Sequence, residues 1–115
     1  MDSEIRLKVV FYKTKTGREP VKEWLQNLSS IEKKKIGEDI KTVQFGWPIG
    51  MPLIRKLEQD LWEVRSKLEN KTARVIFSVI DDYMILLTGF FKKSRKTPKS
   101  EILLARKRLS NIRSI

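Results

Sequence analysis

The sequence predicts an α+β fold in the order β-α-α-β-β-β-α, and three observations predict it. A first segment alternates apolar and polar residues with the period of a strand, and two amphipathic helical segments follow it. After a break rich in Pro and Gly, three strand-like stretches are separated by turn-prone pairs, and a last helical segment follows. One mostly antiparallel sheet, with two N-terminal helices packed on it and a further C-terminal helix, satisfies every pattern. At 115 residues the chain is expected to be one domain over 1–115, long enough to bury a single core without disulfides or metals.

Each element has a local cause. Ile5, Leu7, Val9 and Phe11 alternate with Arg6, Lys8, Val10 and Tyr12, and the pattern stops at Lys15-Thr16-Gly17. A helix is expected from about Glu19, with Pro20 in its first turn, where a missing N–H costs nothing. Val21, Trp24, Leu25 and Leu28 recur at the spacing of one apolar helix face. Ser29, followed three residues later by Glu32, has the form of a capping box for a second helix, whose apolar face holds Ile36, Ile40, Val43 and Trp47. The run from Gly46 to Pro52 holds two prolines and two glycines, so it is no helix. Strands are expected at Leu61–Leu68, Ala73–Ile80 and Tyr83–Phe91, with a short extra one at Ile54–Leu57. Asn70-Lys71 and Asp81-Asp82 supply the turns. Thr97 is placed as N-cap of the last helix and Pro98 at its first position, with Ile102, Ala105, Leu109 and Ile112 on one face.

Composition narrows the chemistry. The chain has no His and no Cys, which removes zinc sites, catalytic triads and thiolate nucleophiles. No phosphate-loop or dinucleotide-binding glycine motif is present. No cofactor and no metal are expected. No apolar run reaches the length of a membrane span and the first residues lack a signal-peptide core, so the chain reads as cytoplasmic. The net charge is +11. It is uneven: residues 1–50 have 10 basic and 7 acidic side chains, residues 51–115 have 15 and 7. Such an excess suits a polyanion, since each phosphate neutralised releases a condensed counterion.

The cations fall on strands. Arg65, Arg74 and the Lys92-Lys93 pair each lie in or beside an apolar stretch. A strand arginine there needs a carboxylate, for which Glu63 and Glu58 are candidates, or it lines a cleft. Guanidinium forks suit phosphate, and a fixed cluster of cations stabilises the charge that builds when a 2′-oxygen attacks a neighbouring phosphodiester. Binding RNA without cutting it uses the same residue types. From Lys92 to Arg108 there are eight basic residues and one acid, Glu101. Read functionally, Arg95 and Lys96 join a surface for ribosomal RNA; read structurally, they are solvated loop and helix charge. Of Phe90 and Phe91, alternation buries one and leaves the other near the cations, where Phe91 is placed as an RNA contact. Trp24, Trp47 and Trp62 are expected in the core.

Residues Gly50–Leu57, then Leu61-Trp62-Glu63-Val64-Arg65, Ala73-Arg74-Val75-Ile76-Phe77, Thr88-Gly89-Phe90-Phe91-Lys92-Lys93 and Lys96-Thr97-Pro98 with Glu101, Ile102 and Ala105 form an ordered set. That set resembles the phage-related branch of the HigB toxins, within the RelE superfamily of type II toxin–antitoxin systems. The resemblance implies a RelE-like fold and a ribosome-dependent endoribonuclease, an mRNA interferase acting in the ribosomal A site without metal. It implies a cognate antitoxin as partner, with a helix-turn-helix DNA-binding domain, and no membrane. By position it makes Arg65, Arg74, Lys92 and Lys93 catalytic, with Lys56 in contact with RNA and Glu63 orienting an arginine or accepting a proton. Several relatives use a histidine or a late tyrosine, and this chain has neither. The rival readings are a non-catalytic RNA- or ribosome-binding module and a DNA-binding regulator. The last is weakest, because the two N-terminal helices lack a basic recognition face.

Overall fold

The computed structural model describes residues 6–48, 52–92 and 96–113. Its elements are β1 (Lys8–Phe11), α1 (Pro20–Gln26), α2 (Ser30–Gly46), β2 (Ile54–Glu58), β3 (Leu61–Lys67), β4 (Thr72–Ile80), β5 (Tyr83–Lys92) and α3 (Lys99–Arg113). The five strands form one sheet in the order β1-β5-β4-β3-β2. Only β1 runs parallel to its neighbour, β5; the other pairings are antiparallel. This is the expected α+β architecture, and the short extra strand is present as β2.

β1 is shorter than its alternating pattern. The backbone N–H groups of Arg6 and Leu7 both donate to the Gln44 carbonyl near the end of α2. They are therefore held by the helix, and pairing with β5 starts at Lys8. α2 begins with the full capping box: Ser29 Oγ accepts from the Glu32 N–H, and Glu32 accepts from the Ser29 N–H. α1 begins at Pro20, as its fixed φ favours.

Two apolar clusters sandwich the sheet. On one face Val21, Ile36, Ile40 and Val43 of the helices pack on Val64, Val75, Phe77 and Leu86. Trp47 meets Trp62 and Phe77 edge-on at 5.1 and 5.6 Å there. On the other face Ala105 and Leu109 of α3 pack on Leu61, Ile76, Ile85 and Leu87, flanked by Ile102 and Ile112.

A β-bulge lets β5 serve both apolar clusters. Ile76 pairs with Thr88, but Phe77 pairs with Leu86, which leaves Leu87 as the extra residue. The shift changes the parity of β5, so Gly89 and Phe91 share the α1/α2 face with Leu86 and Met84. Arg108 Nη1 donates to the carbonyl of that extra residue, Leu87, at 2.6 Å and so ties α3 to the bulge. Gly89 has a steric reason: a Cβ there would lie 2.5 Å from Trp24 Cε3, because the indole rests against the strand backbone.

Candidate functional site

α3 covers one part of its sheet face, and the other part is polar. Cross-strand register sets what stands there. Arg55 is opposite Glu63, Arg65 is opposite Arg74, Arg74 is opposite Phe90 and Thr72 is opposite Lys92. Since side chains alternate, Arg55, Glu63, Arg65, Arg74, Phe90 and Lys92 share this face.

Two arginines directly opposed on neighbouring strands repel, and Glu63 offsets this. Its carboxylate is fully buried. Oε1 accepts from Arg74 Nη1 at 2.9 Å and lies 4.0 Å from Arg65 Nε. Oε2 accepts from the Thr97 hydroxyl at 2.5 Å, and Arg74 Nη1 also approaches Thr97 Oγ1 at 3.3 Å. Arg74 is 2% exposed. The chain thus anchors Arg74 with a carboxylate from β3 and a hydroxyl from the start of α3.

Lys92 is the unusual member. It is 6% exposed, and its ammonium has no hydrogen-bond partner among the described residues. Burial, and the neighbouring charges of Arg74, Arg55 and Arg65, hold its pKa below the ordinary lysine value, while Glu63 pulls the other way. Four cations around one carboxylate leave this part of the sheet with excess positive charge, with Arg55 exposed, Arg65 half-buried and Arg74 and Lys92 buried.

Of the residues expected at the site, Arg65, Arg74, Lys92 and Glu63 come together. Lys93 and Arg95 lie outside the described residues. Lys96 is exposed beside Thr97. Two expectations need correction. Lys56 lies opposite Trp62 on the helix-covered face, its ammonium 5.8 Å from that ring. Phe91 faces α1, with its ring 5.3 Å from that of Trp24 and the Lys71 ammonium 3.9 Å above it. Alternation puts Phe90, its neighbour, among the cations.

Arg55 and Thr97 are members that sequence reasoning missed. Alternation counted from the buried Ile54 would have found Arg55. Thr97 looks like a helix cap, yet α3 starts at Lys99, and its first-turn N–H groups at Glu101 and Ile102 donate to the Pro98 carbonyl. The Thr97 hydroxyl serves Glu63 instead. The tail is also partly structural. Arg106 pairs with Glu58 at 2.6 Å and donates to the Gln59 carbonyl. Glu101, half-buried against α3's own sheet face, has its pKa raised mainly by burial, against the opposing pull of Arg108. Among the described residues no group of three or more acidic side chains is placed to hold a metal ion, and no helix is long and apolar enough to cross a membrane.

The family model described as phage-derived protein Gp49-like (DUF891) matches residues 23–110. The match runs from within α1 through most of α3 and includes every described member of the cluster. No curated protein matches the chain.

Proposed function

The chain belongs to the phage-derived Gp49-like family, a toxin-like family of toxin–antitoxin systems within the RelE superfamily, and from that premise we propose that it is a HigB-like toxin, an endoribonuclease that cuts mRNA on the ribosome. The observation that supports this best is Lys92, a buried ammonium without a hydrogen-bond partner among the described residues, set among guanidinium groups on the sheet face away from α1 and α2. A buried ammonium is costly, and a phosphate brought beside it offsets that cost.

In this reading Arg65 and Arg74 hold the phosphoryl oxygens as negative charge builds on them, and their fixed positions keep the reorganisation cost low. Glu63 and Thr97 orient Arg74. Lys92, an ammonium whose proton is loosened by its surroundings, gives that proton to the departing 5′-oxygen, while the proton of the attacking 2′-hydroxyl passes to solvent water. The ribosome supplies the orientation of the mRNA, which offsets the lack of histidine. Phe90 offers a ring for a base, and Lys93, Arg95 and Lys96 extend the contact to ribosomal RNA. An antitoxin with a helix-turn-helix domain, acidic where it meets the cluster, is the partner that holds the toxin silent in the cytoplasm.

The test adds the protein to a defined translation reaction and maps new 5′ ends on the mRNA. Arg65→Ala and Lys92→Met run beside it, with a reaction lacking ribosomes. Cuts that require ribosomes and drop at least about a hundredfold in either variant are expected. Arg74→Ala is a poor probe, because it leaves Glu63 as an uncompensated buried charge at about 3–5 kcal/mol. A second reading, RNA binding without cleavage, is favoured by the anchoring of Arg74 to Glu63, a purely structural use of that arginine. Salt-sensitive ribosome binding with intact mRNA would select it.

A further inference from the structure

A groove of about 400 Å³ opens where the ends of β3 and β4, and the turn before β2, meet α2. Its walls include Lys35, Asp39, Leu53, Arg65, Lys67 and Thr72. Arg65 belongs both to this wall and to the cation cluster, and so links the groove beside α2 with the cluster on the other face of the sheet. Register extends the polar face in the same direction, with Lys67 opposite Thr72 and Thr72 opposite Lys92. The acid on the wall, Asp39, is engaged by Lys35 at 3.3 Å. Lys67 has no salt bridge among the described residues, and the backbone N–H of Arg65 is fixed by the Leu53 carbonyl at 3.0 Å.

The volume suits a small ligand, and the lining joins Arg65 and Lys67, beside the Lys35–Asp39 pair, to the apolar surface of Leu53 and Pro52. One nucleotide of a single strand has that character: a phosphate at one end and a flat, apolar-faced base at the other. We propose that this groove is the subsite for the nucleotide adjoining the one that is cut, its phosphate on Arg65 and Lys67 and its base against Leu53 and Pro52. The proposal rests on the reading of the chain as an mRNA-cutting toxin. Its consequence is that the groove sets a base preference on one side of the cut, through packing against Leu53 and Pro52.

The experiment measures cutting rates and the bases flanking each cut in a translation reaction, for the unaltered protein, Lys67→Glu and Lys41→Glu. Lys41 lies on α2 away from the groove walls, so it reproduces the charge change alone. Lys67 is exposed, and thermal melts verify that both variants fold. Lys67→Glu is expected to raise KM for ribosome-bound mRNA by about tenfold, to keep kcat, and to alter base preference on one side of the cut. Lys41→Glu is expected to do neither. Normal cutting by Lys67→Glu, or an equal effect of Lys41→Glu, overturns the groove and leaves the toxin reading standing. Weakened antitoxin binding with unchanged cutting assigns the groove to a protein carboxylate and overturns the proposal as well. No cutting by the unaltered protein removes both.

Discussion

At the scale of single residues, the site works against stability. Lys92 is an ammonium in a place that favours its neutral form. Its pKa is lower in the folded chain than in the unfolded one, so between those values the unfolded chain binds more protons and stability rises with pH. The burden is greatest below the folded pKa and fades as pH approaches the ordinary value of 10.5. Lys92→Met is therefore expected to raise the melting temperature at pH 6, by about 1 kcal/mol of stability, and to do so less at pH 10. Melts at the two pH values check the sign, and a loss of stability at pH 6 would mean that Lys92 has a stabilising partner. Glu63 shows the opposite design. Both of its oxygens are engaged, by Arg74 and by Thr97, so its burial is compensated.

At the scale of elements, β5 decides most. Its bulge lets one strand serve two cores, and Gly89 lets α1 approach it through Trp24. Adding a methyl group there forces the indole away from the strand. Gly89→Ala should cost about 2 kcal/mol of stability in denaturant titrations. It should also loosen Phe91, which packs on the same ring. α3 does two tasks. Its apolar stripe closes the second core, and the residues that precede it deliver Thr97 to Glu63. Packing of this helix and placement of Arg74 are thus coupled.

At the scale of the whole molecule, the excess of 25 basic over 14 acidic residues is not spread evenly in its use. Arg106 and Arg108 hold α3 in place, Lys71 pairs with Glu32 at 2.9 Å, and Arg18 pairs with Glu23. In the proposed reading, Arg55 and Lys92 of the cluster and Lys67 of the groove serve an outside anion. Binding to single-stranded RNA or to ribosomes is expected to weaken steeply with salt, and Arg65→Ala should reduce the slope of log K against log salt by about 0.7. Anisotropy titrations over a salt series measure it, and an unchanged slope would place Arg65 off the phosphate.

The local signals of the sequence determined the elements. The Ser29–Glu32 box, Pro20, the Asp81-Asp82 turn and the strand and helix periods each act within a few residues, and each appears where its physics puts it. Arg65, Arg74 and Lys92 were legible as strand cations for the same reason. Only the tertiary structure decided which face each cation shares and with whom. Pairing of β4 with β5 sets Phe90 opposite Arg74, so Phe90 is the ring beside the cations and Phe91 turns to α1. Register across the β2–β3 hairpin brings Arg55 to Glu63 in place of Lys56. Thr97 meets Glu63 across 34 residues of chain because α3 packs on the sheet. These choices depend on contacts between distant segments, whose free energy no local pattern contains.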